Sequence, residues 1–397
     1  MKGYRCIACN TEQGADYDGF VCPSCGGNFD ITYDYAAIDP AFGDGEGMFR
    51  YASLLPCSDP GTTLPLTIGG TPLHRARRLG ATAGLGNVWL KDETGNPSAS
   101  IKDRASAVAL LRAAATGADT VAVASTGNAG SSTACLAAAM GLRAVVFVPE
   151  TAPAAKLTQS LAHGARVLAV RGSSDDAYDL CLRACDEQGW FNRSTGFNPF
   201  TRDGKKTSSF EIWEQLGQVP DRVIVPTGDG NILSGVWKGW RDLHAAGLID
   251  RLPKIDCAQS EGSAAICHTV ERIRASGQEP DWREVTIKSV AASTVADSIS
   301  VDQPRDGLAA VRAVIESGGE AVTVSDDEIL AAIGELASTA GVFAEPAAAA
   351  TWAAAKRLAG DGRIDKDETV VLLVTGNGLK DVAAVPVGKP EPVDAKS

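Results

Sequence analysis

Short apolar runs alternate with alanine-rich stretches along most of this chain of 397 residues. The runs are typical of strands buried on both faces. Because segments of helical length separate them, the pattern predicts a doubly wound α/β fold with a parallel sheet. A chain of this length is expected to divide into two lobes. The clearest predicted strands are 88–91, 121–124, 144–148, 166–170, 223–225 and 370–374.

The composition favours a water-soluble enzyme. The sequence has no run of about 18 apolar residues, so we expect no membrane segment. A net charge of −12 would repel nucleic acid. The first residues, MKGYRCIACN, lack the apolar core of a secretion signal. Ten cysteines without such a signal indicate reduced thiols, no structural disulfides and a cytoplasmic location.

Four of the cysteines form two C-x-x-C pairs near the N-terminus. Cys6 and Cys9 are separated by twelve residues from Cys22 and Cys25. Two such pairs can supply four thiolates in tetrahedral geometry, and a shell of four thiolates leaves zinc no open position for a substrate. The spacing therefore predicts a structural zinc ribbon within residues 1–36, with a degenerate, metal-free ribbon as the alternative.

One lysine and three strand ends carry the residues suited to chemistry. Lys102 lies in NPSASIKDR (96–104), where small residues precede a helix, and a lysine in this position can hold an aldehyde cofactor. Glycine turns follow the strands in VAVASTGNAGSS (121–132), VIVPTGDGNILSG (223–235) and VVLLVTGNGLKD (370–381). Ligand sites of open α/β sheets lie at such strand ends, where bare amides can bind a phosphate. Each turn alone is a weak signal, whereas the four segments together predict a cofactor site.

In this order the motifs resemble those of threonine synthase and its relatives among the fold-type II pyridoxal-phosphate enzymes, whose lysine motif reads close to NPTGSFKDR. The resemblance continues through GGTPL (69–73), GVFAEPAAAA (341–350) and TGNGLKD, and it covers about residues 65–382. It implies a two-lobed α/β fold like that of the tryptophan synthase β subunit, with the cofactor between the lobes. The expected divisions are a ribbon at 1–36, a large lobe at 37–97 and 201–385, a small lobe at 98–200, and a flexible tail at 386–397.

The resemblance implies roles for individual residues. Lys102 would form the Schiff base with pyridoxal phosphate and then move the substrate protons. Asn128 would contact the phenolic oxygen of the cofactor, and Thr375 would lie beside its ring nitrogen. The cofactor phosphate is expected on the turn of Gly228, Asp229, Gly230 and Asn231, although the family more often has asparagine or glycine in place of Asp229. Expected substrate contacts are Ser100, Ser125, Thr126 and Gly127.

The substrate is harder to predict. Threonine synthase must hold the phosphate of O-phosphohomoserine, and the nearest basic and hydroxyl candidates are Lys205, Lys206, Arg202 and Thr207. Two departures from the family put that substrate in doubt. Ser98-Ala99-Ser100-Ile101 replaces Thr-Gly-Ser-Phe before the lysine, and Ser300 stands where relatives have an arginine in ATAIRIGNP.

Three functions therefore remain open. The first is threonine synthase, a lyase that eliminates phosphate from O-phospho-L-homoserine and adds water to give L-threonine. The second is β-elimination or β-replacement, as in a cysteate synthase acting on O-phosphoserine or a serine or threonine dehydratase. The third is a non-catalytic ligand sensor. In each case we expect a small amino-acid ligand and, by analogy with relatives, a homodimer, with neither nucleic acid nor membrane as partner.

Overall fold

The computed structural model describes residues 1–38, 42–57, 61, 63–385, 388 and 390–393, which form three β-sheets with helices packed around them. The strands are β1 (Gly3–Cys6), β2 (Glu12–Gly14), β3 (Phe29–Thr32), β4 (Leu73–Arg75), β5 (Asn87–Asp92), β6 (Thr120–Ala124), β7 (Arg143–Pro149), β8 (Arg166–Val170), β9 (Phe191–Asn192), β10 (Arg222–Pro226), β11 (Lys254–Ser260), β12 (Ala321–Val324) and β13 (Thr369–Val374). The α-helices are α1 (Arg77–Ala81), α2 (Lys102–Ala115), α3 (Asn128–Met140), α4 (Ala154–Ala162), α5 (Ser174–Gln188), α6 (Phe200–Lys205), α7 (Thr207–Leu216), α8 (Asn231–Ala245), α9 (Ala265–Ser276), α10 (Gly307–Ser317), α11 (Asp326–Glu335) and α12 (Pro346–Gly360). Most of the predicted tail, 386–397, lies outside the described residues.

The largest sheet has six strands in the order β12-β11-β10-β13-β5-β4. Neighbouring strands are parallel, except that β4 runs antiparallel to β5 at one edge. The central strands β10 and β13 are buried along their whole length, as expected for parallel strands covered on both faces. The prediction of an α/β fold is therefore confirmed.

A second sheet has four parallel strands in the order β8-β7-β6-β9. It is built from a segment that leaves the large sheet after β5 and returns to it at β10. The turns after β6 and β10 each lead into a helix, α3 and α8 respectively. Ligands of α/β proteins bind at loops that follow the carboxyl ends of parallel strands. The sheet topology therefore indicates a ligand site at these two turns.

Alanine-rich helices cover both parallel sheets. In α12 almost every residue is buried, and the helix contacts strands β10 to β13. Alanine has no side chain beyond Cβ, so the helix can lie close to the sheet without leaving voids. Within the described residues, none of the helices combines the length and hydropathy that crossing a bilayer requires.

The N-terminal sheet, in the order β2-β1-β3, is antiparallel and packs against the large sheet's helices. Arg202 in α6 donates to the Phe29 carbonyl at 2.8 Å and pairs with Asp30 at 2.8 Å. Asn28 donates to Asp306 Oδ1 at 2.8 Å, and the other oxygen of Asp306 accepts from Asn231 at 2.7 Å. The N-terminal segment is thus attached to the start of α8 through one shared carboxylate.

Ala99 adopts an uncommon backbone conformation just before α2. Its φ is +64°, in the left-handed region that glycine tolerates and alanine does not favour. The turn is held in place because the Ala99 N–H donates to the Asn96 carbonyl at 2.7 Å and the Ala99 carbonyl accepts from the Asn377 N–H at 3.1 Å. The loss of glycine from the lysine motif therefore leaves a strained residue three positions before Lys102.

We expect Ala99→Gly to increase the free energy of unfolding by about 0.5–1 kcal/mol. Relief of the left-handed conformation is worth about 1–2 kcal/mol, and the greater backbone freedom of glycine in the unfolded chain offsets part of it. Urea denaturation followed by circular dichroism measures the change. Ala107→Gly, inside α2, is the matched control and should lower stability. An Ala99→Gly protein no more stable than the parent would contradict the interpretation.

Candidate active site

A cavity of 420 Å³ opens at the carboxyl ends of β6 and β7. Its walls come from the β6–α3 turn, from residues 193–195 that follow β9, and from the loop 297–305. A smaller cavity of 40 Å³ lies at the start of α8, where it is lined by residues 226–233. Lys102 lines both cavities, which makes it the junction between them.

Lys102 is the first residue of α2 and is held against the end of β13. The Ile101 N–H donates to the Thr375 carbonyl at 2.9 Å, and Ser100 pairs with Gly376 in a short bridge. Burial and the charge of Arg193 lower the pKa of Lys102, Glu345 and Asp229 oppose them, and the resulting pKa is about 8. An amine with this pKa is partly unprotonated near neutral pH, as a nucleophilic lysine must be.

The turn of Gly228–Asn231 provides unpaired backbone amides. The first helical hydrogen bond of α8 runs from the Ser234 N–H to the Gly230 carbonyl, so the preceding amides have no partner inside the helix. Gly230 has a φ of +96°, and a Cβ on Gly228 would lie 2.8 Å from Ile299 Cα, so both positions require glycine. The start of a helix with free amides favours an anion such as a phosphate.

Asp229 places a carboxyl group in the wall of both cavities. Its Oδ1 accepts from the Arg305 N–H at 2.8 Å, whereas Oδ2 is buried without a hydrogen-bond partner. Burial raises the pKa of Asp229, and the neighbouring charge of Asp306 raises it further. The carboxyl group does not point into solvent, and in its ionised form it would repel an anion bound on the turn.

Asn128 begins α3 and faces a buried glutamate. Its Nδ2 donates to Glu345 Oε2 at 2.8 Å and to Ser298 Oγ at 3.4 Å. Glu345 immediately precedes α12, is 4% exposed, and has a pKa that burial raises and the charge of Lys102 lowers. Sequence analysis assigned no role to Glu345. A single charged residue inside the otherwise apolar stretch GVFAEPAAAA was the available signal, since buried glutamates are rare.

Arg193 is the second residue that sequence analysis missed. It is fully buried in the wall of the larger cavity, where Nε donates to Ser106 Oγ at 3.1 Å and Nη2 donates to the Lys102 carbonyl at 3.5 Å. Nη1 is buried and has no hydrogen-bond partner, and no carboxylate of the described chain forms an ion pair with the guanidinium. Burial lowers its pKa to about 10, against the attraction of Asp103. A buried cation without a counter-charge is costly, which indicates that a ligand supplies the missing anion.

The candidate residues around 202–207 separate into two groups. Lys205 reaches the smaller cavity, where its Nζ donates to Asn231 Oδ1. Lys206 does not reach either cavity and instead pairs with Asp242 at 2.7 Å, so its interpretation as a substrate contact is corrected. Arg202 and Thr207 are likewise engaged elsewhere, in the contacts of α6 with the N-terminal sheet and with Arg104.

Some of the remaining predicted site residues line the larger cavity, and others line neither cavity. Ser125, Thr126 and Gly127 line the larger cavity, as does Ser300. Ser100 and Thr375 are buried, and in the described structure neither belongs to the residues that line the two cavities. Both take part in the backbone contacts that hold Lys102, since the Thr375 carbonyl accepts from the Ile101 N–H and Ser100 pairs with Gly376.

The four N-terminal cysteines converge on one point. Their Sγ atoms all lie within 4.8 Å of one another, with separations of 3.5 Å for Cys6–Cys25, 3.6 Å for Cys9–Cys22 and 3.4 Å for Cys9–Cys25. Zinc–sulfur bonds of about 2.3 Å in a tetrahedron require separations of about 3.8 Å. All ten cysteines are free thiols, so these four are available as ligands. The arrangement can hold a metal ion.

A family model described as "Pyridoxal-phosphate dependent enzyme" matches residues 64–376, which include both cavities and Lys102. The chain belongs to this family. Among curated relatives, the threonine synthase of Methanocaldococcus jannaschii is 37% identical and the alignment covers 98% of this chain and 95% of that one. The threonine synthases of Methanosarcina acetivorans (37% identical, 97% and 94% covered) and Mycobacterium tuberculosis strain H37Rv (36% identical, 87% and 92% covered) are similar over comparable lengths.

Solved structures of pyridoxal-phosphate enzymes share the fold. Maize serine racemase matches with a TM-score of 0.65 at 22% identity, covering 78% of this chain and 88% of that one. The processed form of threonine deaminase isoform 2 from Solanum lycopersicum matches with a TM-score of 0.66 at 22% identity, covering 85% and 87%. At this identity the likeness establishes the fold-type II architecture and not the reaction.

The residues present fit pyridoxal phosphate. Lys102 supplies an amine of lowered pKa at the junction of the two cavities, and the α8 turn supplies free amides for a phosphate. The buried, unpartnered atoms of the site, Arg193 Nη1 and Asp229 Oδ2, lie in the same walls. This pyridoxal-phosphate enzyme therefore has one cavity suited to the cofactor phosphate and another, larger cavity beside it for an amino-acid substrate.

Proposed function

We propose that this protein catalyses the threonine synthase reaction, in which O-phospho-L-homoserine and water give L-threonine and phosphate. The observation that carries the proposal is the unpaired, buried Arg193 in the cavity that also contains Lys102. A guanidinium binds phosphate through parallel, charge-assisted hydrogen bonds. The threonine synthase relatives, which match nearly the whole chain, support the same reaction.

The substrate carries two anionic groups, and the cavity offers two separate places for them. The β6–α3 turn, with Ser125, Thr126 and Gly127 at the start of α3, is suited to the carboxylate. Arg193 then remains for the phosphate. Both groups have to be bound at once to hold the carbon chain beside Lys102, which is what distinguishes this substrate from serine or threonine.

The residues of the chain have distinct tasks in the proposed reaction. When bound, the cofactor serves as an electron sink for carbanions at the substrate. Lys102 holds the cofactor and transfers protons to and from the substrate carbons. Asn128, which donates to Glu345, is assigned to the phenolic oxygen of the cofactor, and Thr375 is assigned to the ring nitrogen. The turn Gly228–Asn231 is assigned to the cofactor phosphate.

Ser300 had favoured a β-substituted substrate because it removes an arginine found in relatives. In the fold, Ser300 and Arg193 line the same cavity. We infer that Arg193, in the segment after β9, takes the place of the arginine that Ser300 replaces. This removes the main argument for the cysteate synthase and dehydratase alternatives.

The test is product analysis of the cofactor-loaded enzyme with O-phospho-L-homoserine, using mass spectrometry for threonine and a colorimetric assay for phosphate. We expect threonine and phosphate to appear in equal amounts. O-phospho-L-serine, L-serine and L-threonine are assayed in parallel. Turnover of one of these three in preference to O-phospho-L-homoserine would overturn the proposal.

We also propose that Cys6, Cys9, Cys22 and Cys25 bind a structural zinc ion. A shell of four thiolates leaves no position for a substrate, and the cysteines lie in the N-terminal sheet, outside both cavities. Metal analysis of the purified protein should give one zinc per chain.

Cys22→Ser is expected to lower the free energy of unfolding by more than about 2 kcal/mol while changing turnover per folded molecule little. Loss of one ligand weakens metal binding, and metal binding contributes directly to the stability of such a segment. Thermal denaturation and steady-state kinetics are compared with those of Cys57→Ser, a control outside the cluster. A selective loss of turnover at unchanged melting temperature would contradict the structural role.

Two further assignments complete the proposal. We propose that residues 98–200 form a small lobe that closes on a large lobe of 37–97 and 201–385, and that the protein acts as a cytoplasmic homodimer. Ten free thiols are consistent with a reducing compartment, and the dimer rests on analogy with relatives. Light scattering coupled to size-exclusion chromatography tests the dimer.

A further inference from the structure

The small cavity at the start of α8 is lined by a buried lysine besides the backbone amides. Lys205, the last residue of α6, is fully buried, and its Nζ donates to Asn231 Oδ1 in this cavity. A lysine ammonium has three N–H donors, and one amide oxygen satisfies only one of them. The position calls for additional acceptors.

The surroundings of Lys205 do not provide those acceptors. Within the described chain, no carboxylate lies close enough to form an ion pair with Lys205. Asp306 already accepts from Arg202 and Asn231. Burial lowers the pKa of Lys205, and the charges of Lys102 and Arg193 lower it further, while Asp229 only partly opposes them. Three basic side chains, those of Lys102, Arg193 and Lys205, thus line the two cavities, and an anion bound there would favour their charged forms.

We propose that Lys205 binds the phosphate of the cofactor directly, together with the amides of the Gly228–Asn231 turn. Lys205 lines the smaller cavity and not the larger one, so it faces the cofactor phosphate rather than the substrate. This changes the role predicted for it from sequence. The inference rests on membership of the pyridoxal-phosphate family and is independent of which amino acid the enzyme converts.

Asp229 is expected to weaken the binding of the cofactor phosphate, whereas Lys205 strengthens it. Its unpartnered Oδ2 lies in the wall of the same cavity, so it attracts the ammonium of Lys205 and repels the phosphate. The site therefore combines one group that strengthens phosphate binding with one that weakens it. Substitutions at the two positions should shift cofactor affinity in opposite directions.

The test is equilibrium binding of two probes, pyridoxal phosphate and pyridoxal, to cofactor-free protein, followed by absorbance and without any substrate. Lys205→Met should weaken pyridoxal phosphate binding by about 10- to 100-fold, the effect of losing one charge-assisted contact. Pyridoxal, which lacks the phosphate, should bind Lys205→Met and the parent protein about equally. Asp229→Asn should bind pyridoxal phosphate at least as tightly as the parent.

The comparison of the two probes separates binding from folding. Lys205→Gln is a second variant, which keeps a polar group against Asn231. Its preference for pyridoxal phosphate over pyridoxal, measured as the ratio of the two affinities, should also be smaller than that of the parent. Equal loss of both probes in the two variants would show a structural role and overturn the inference, as would unchanged binding of pyridoxal phosphate. Because no amino acid is present, failure of this test is independent of the test of the proposed reaction.

Discussion

Replacing Lys102 by alanine is expected to abolish turnover and the visible absorbance of the lysine-bound cofactor together. The lysine has two tasks, holding the cofactor and transferring protons, and proton transfer alone contributes up to about 10⁴-fold to a rate. We expect a fall in turnover of at least that size, measured by threonine formation. Absorbance spectra of the purified variant report the cofactor attachment.

The control for Lys102→Ala is Lys156→Ala, since Lys156 forms an ion pair with Asp297 at 2.8 Å and does not line either cavity. This variant should keep its absorbance. If the absorbance persisted in Lys102→Ala, another amine would have to hold the cofactor. Lys205 would then be the candidate, since it is the other lysine among the described residues that lines the smaller cavity.

The pKa of Lys102, about 8, has a measurable consequence for cofactor uptake. Only the unprotonated amine attacks the aldehyde, and with this pKa about one-tenth of the amine is unprotonated at pH 7 and about half at pH 8. Uptake of pyridoxal phosphate by cofactor-free protein should therefore accelerate as the pH rises through 8. Stopped-flow absorbance gives the rate.

Replacing Arg193 by glutamine is expected to lower kcat/KM for O-phospho-L-homoserine by about 10- to 100-fold without lowering stability. Loss of a charge-assisted contact to the phosphate costs about 1.5–3 kcal/mol, which corresponds to roughly 10- to 100-fold in kcat/KM. The parent protein has an unpaired buried charge at this position, so its removal should leave the free energy of unfolding unchanged or increased. An unpaired buried charge lowers the stability of the folded protein, so the presence of Arg193 indicates a role in binding.

Two further variants sharpen the Arg193 experiment. Arg193→Lys keeps the charge and loses the planar pair of donors, so it should fall between the parent and Arg193→Gln in kcat/KM. Arg143→Gln removes an exposed arginine that pairs with Asp119, and neither kinetics nor stability should change. An Arg193→Gln protein that is destabilised but equally active would assign the residue to folding instead.

Strand prediction from sequence succeeded for the central strands of the large sheet, where every buried side chain of the run is apolar. The runs 223–225 and 370–374 lie inside β10 and β13, which are buried on both faces. The adjacent strand β11 was missed because Asp256 stands at its centre. The fold accommodates this carboxylate because Arg222, on the neighbouring strand, pairs with it at 2.8 Å. Such a pairing depends on strand order, which periodicity does not contain.

The site was predicted to the extent that its residues lie in turns at strand ends. Lys102 and the Gly228–Asn231 turn were identified in this way, and they line the cavities. Arg193 and Glu345 were missed because their partners are distant in sequence. Lys205 and Lys206 were treated alike because they are adjacent, yet successive residues on helical backbone point about 100° apart. Lys205 therefore enters the smaller cavity, and Lys206 enters a buried ion-pair cluster.

The contact of Asn28 with Asp306 also bears on the order in which the protein assembles during synthesis. The N-terminal sheet uses only residues 3–32, so all of its strand pairings are available as soon as this segment leaves the ribosome. Asp306, which joins it to the start of α8, is translated at least about 14 s later at 5–20 residues per second. Until then the completed ribbon has no docking partner at that position. The segment translated first therefore gains its contact with the start of α8 only late in synthesis, after its contacts with Arg202 have become available.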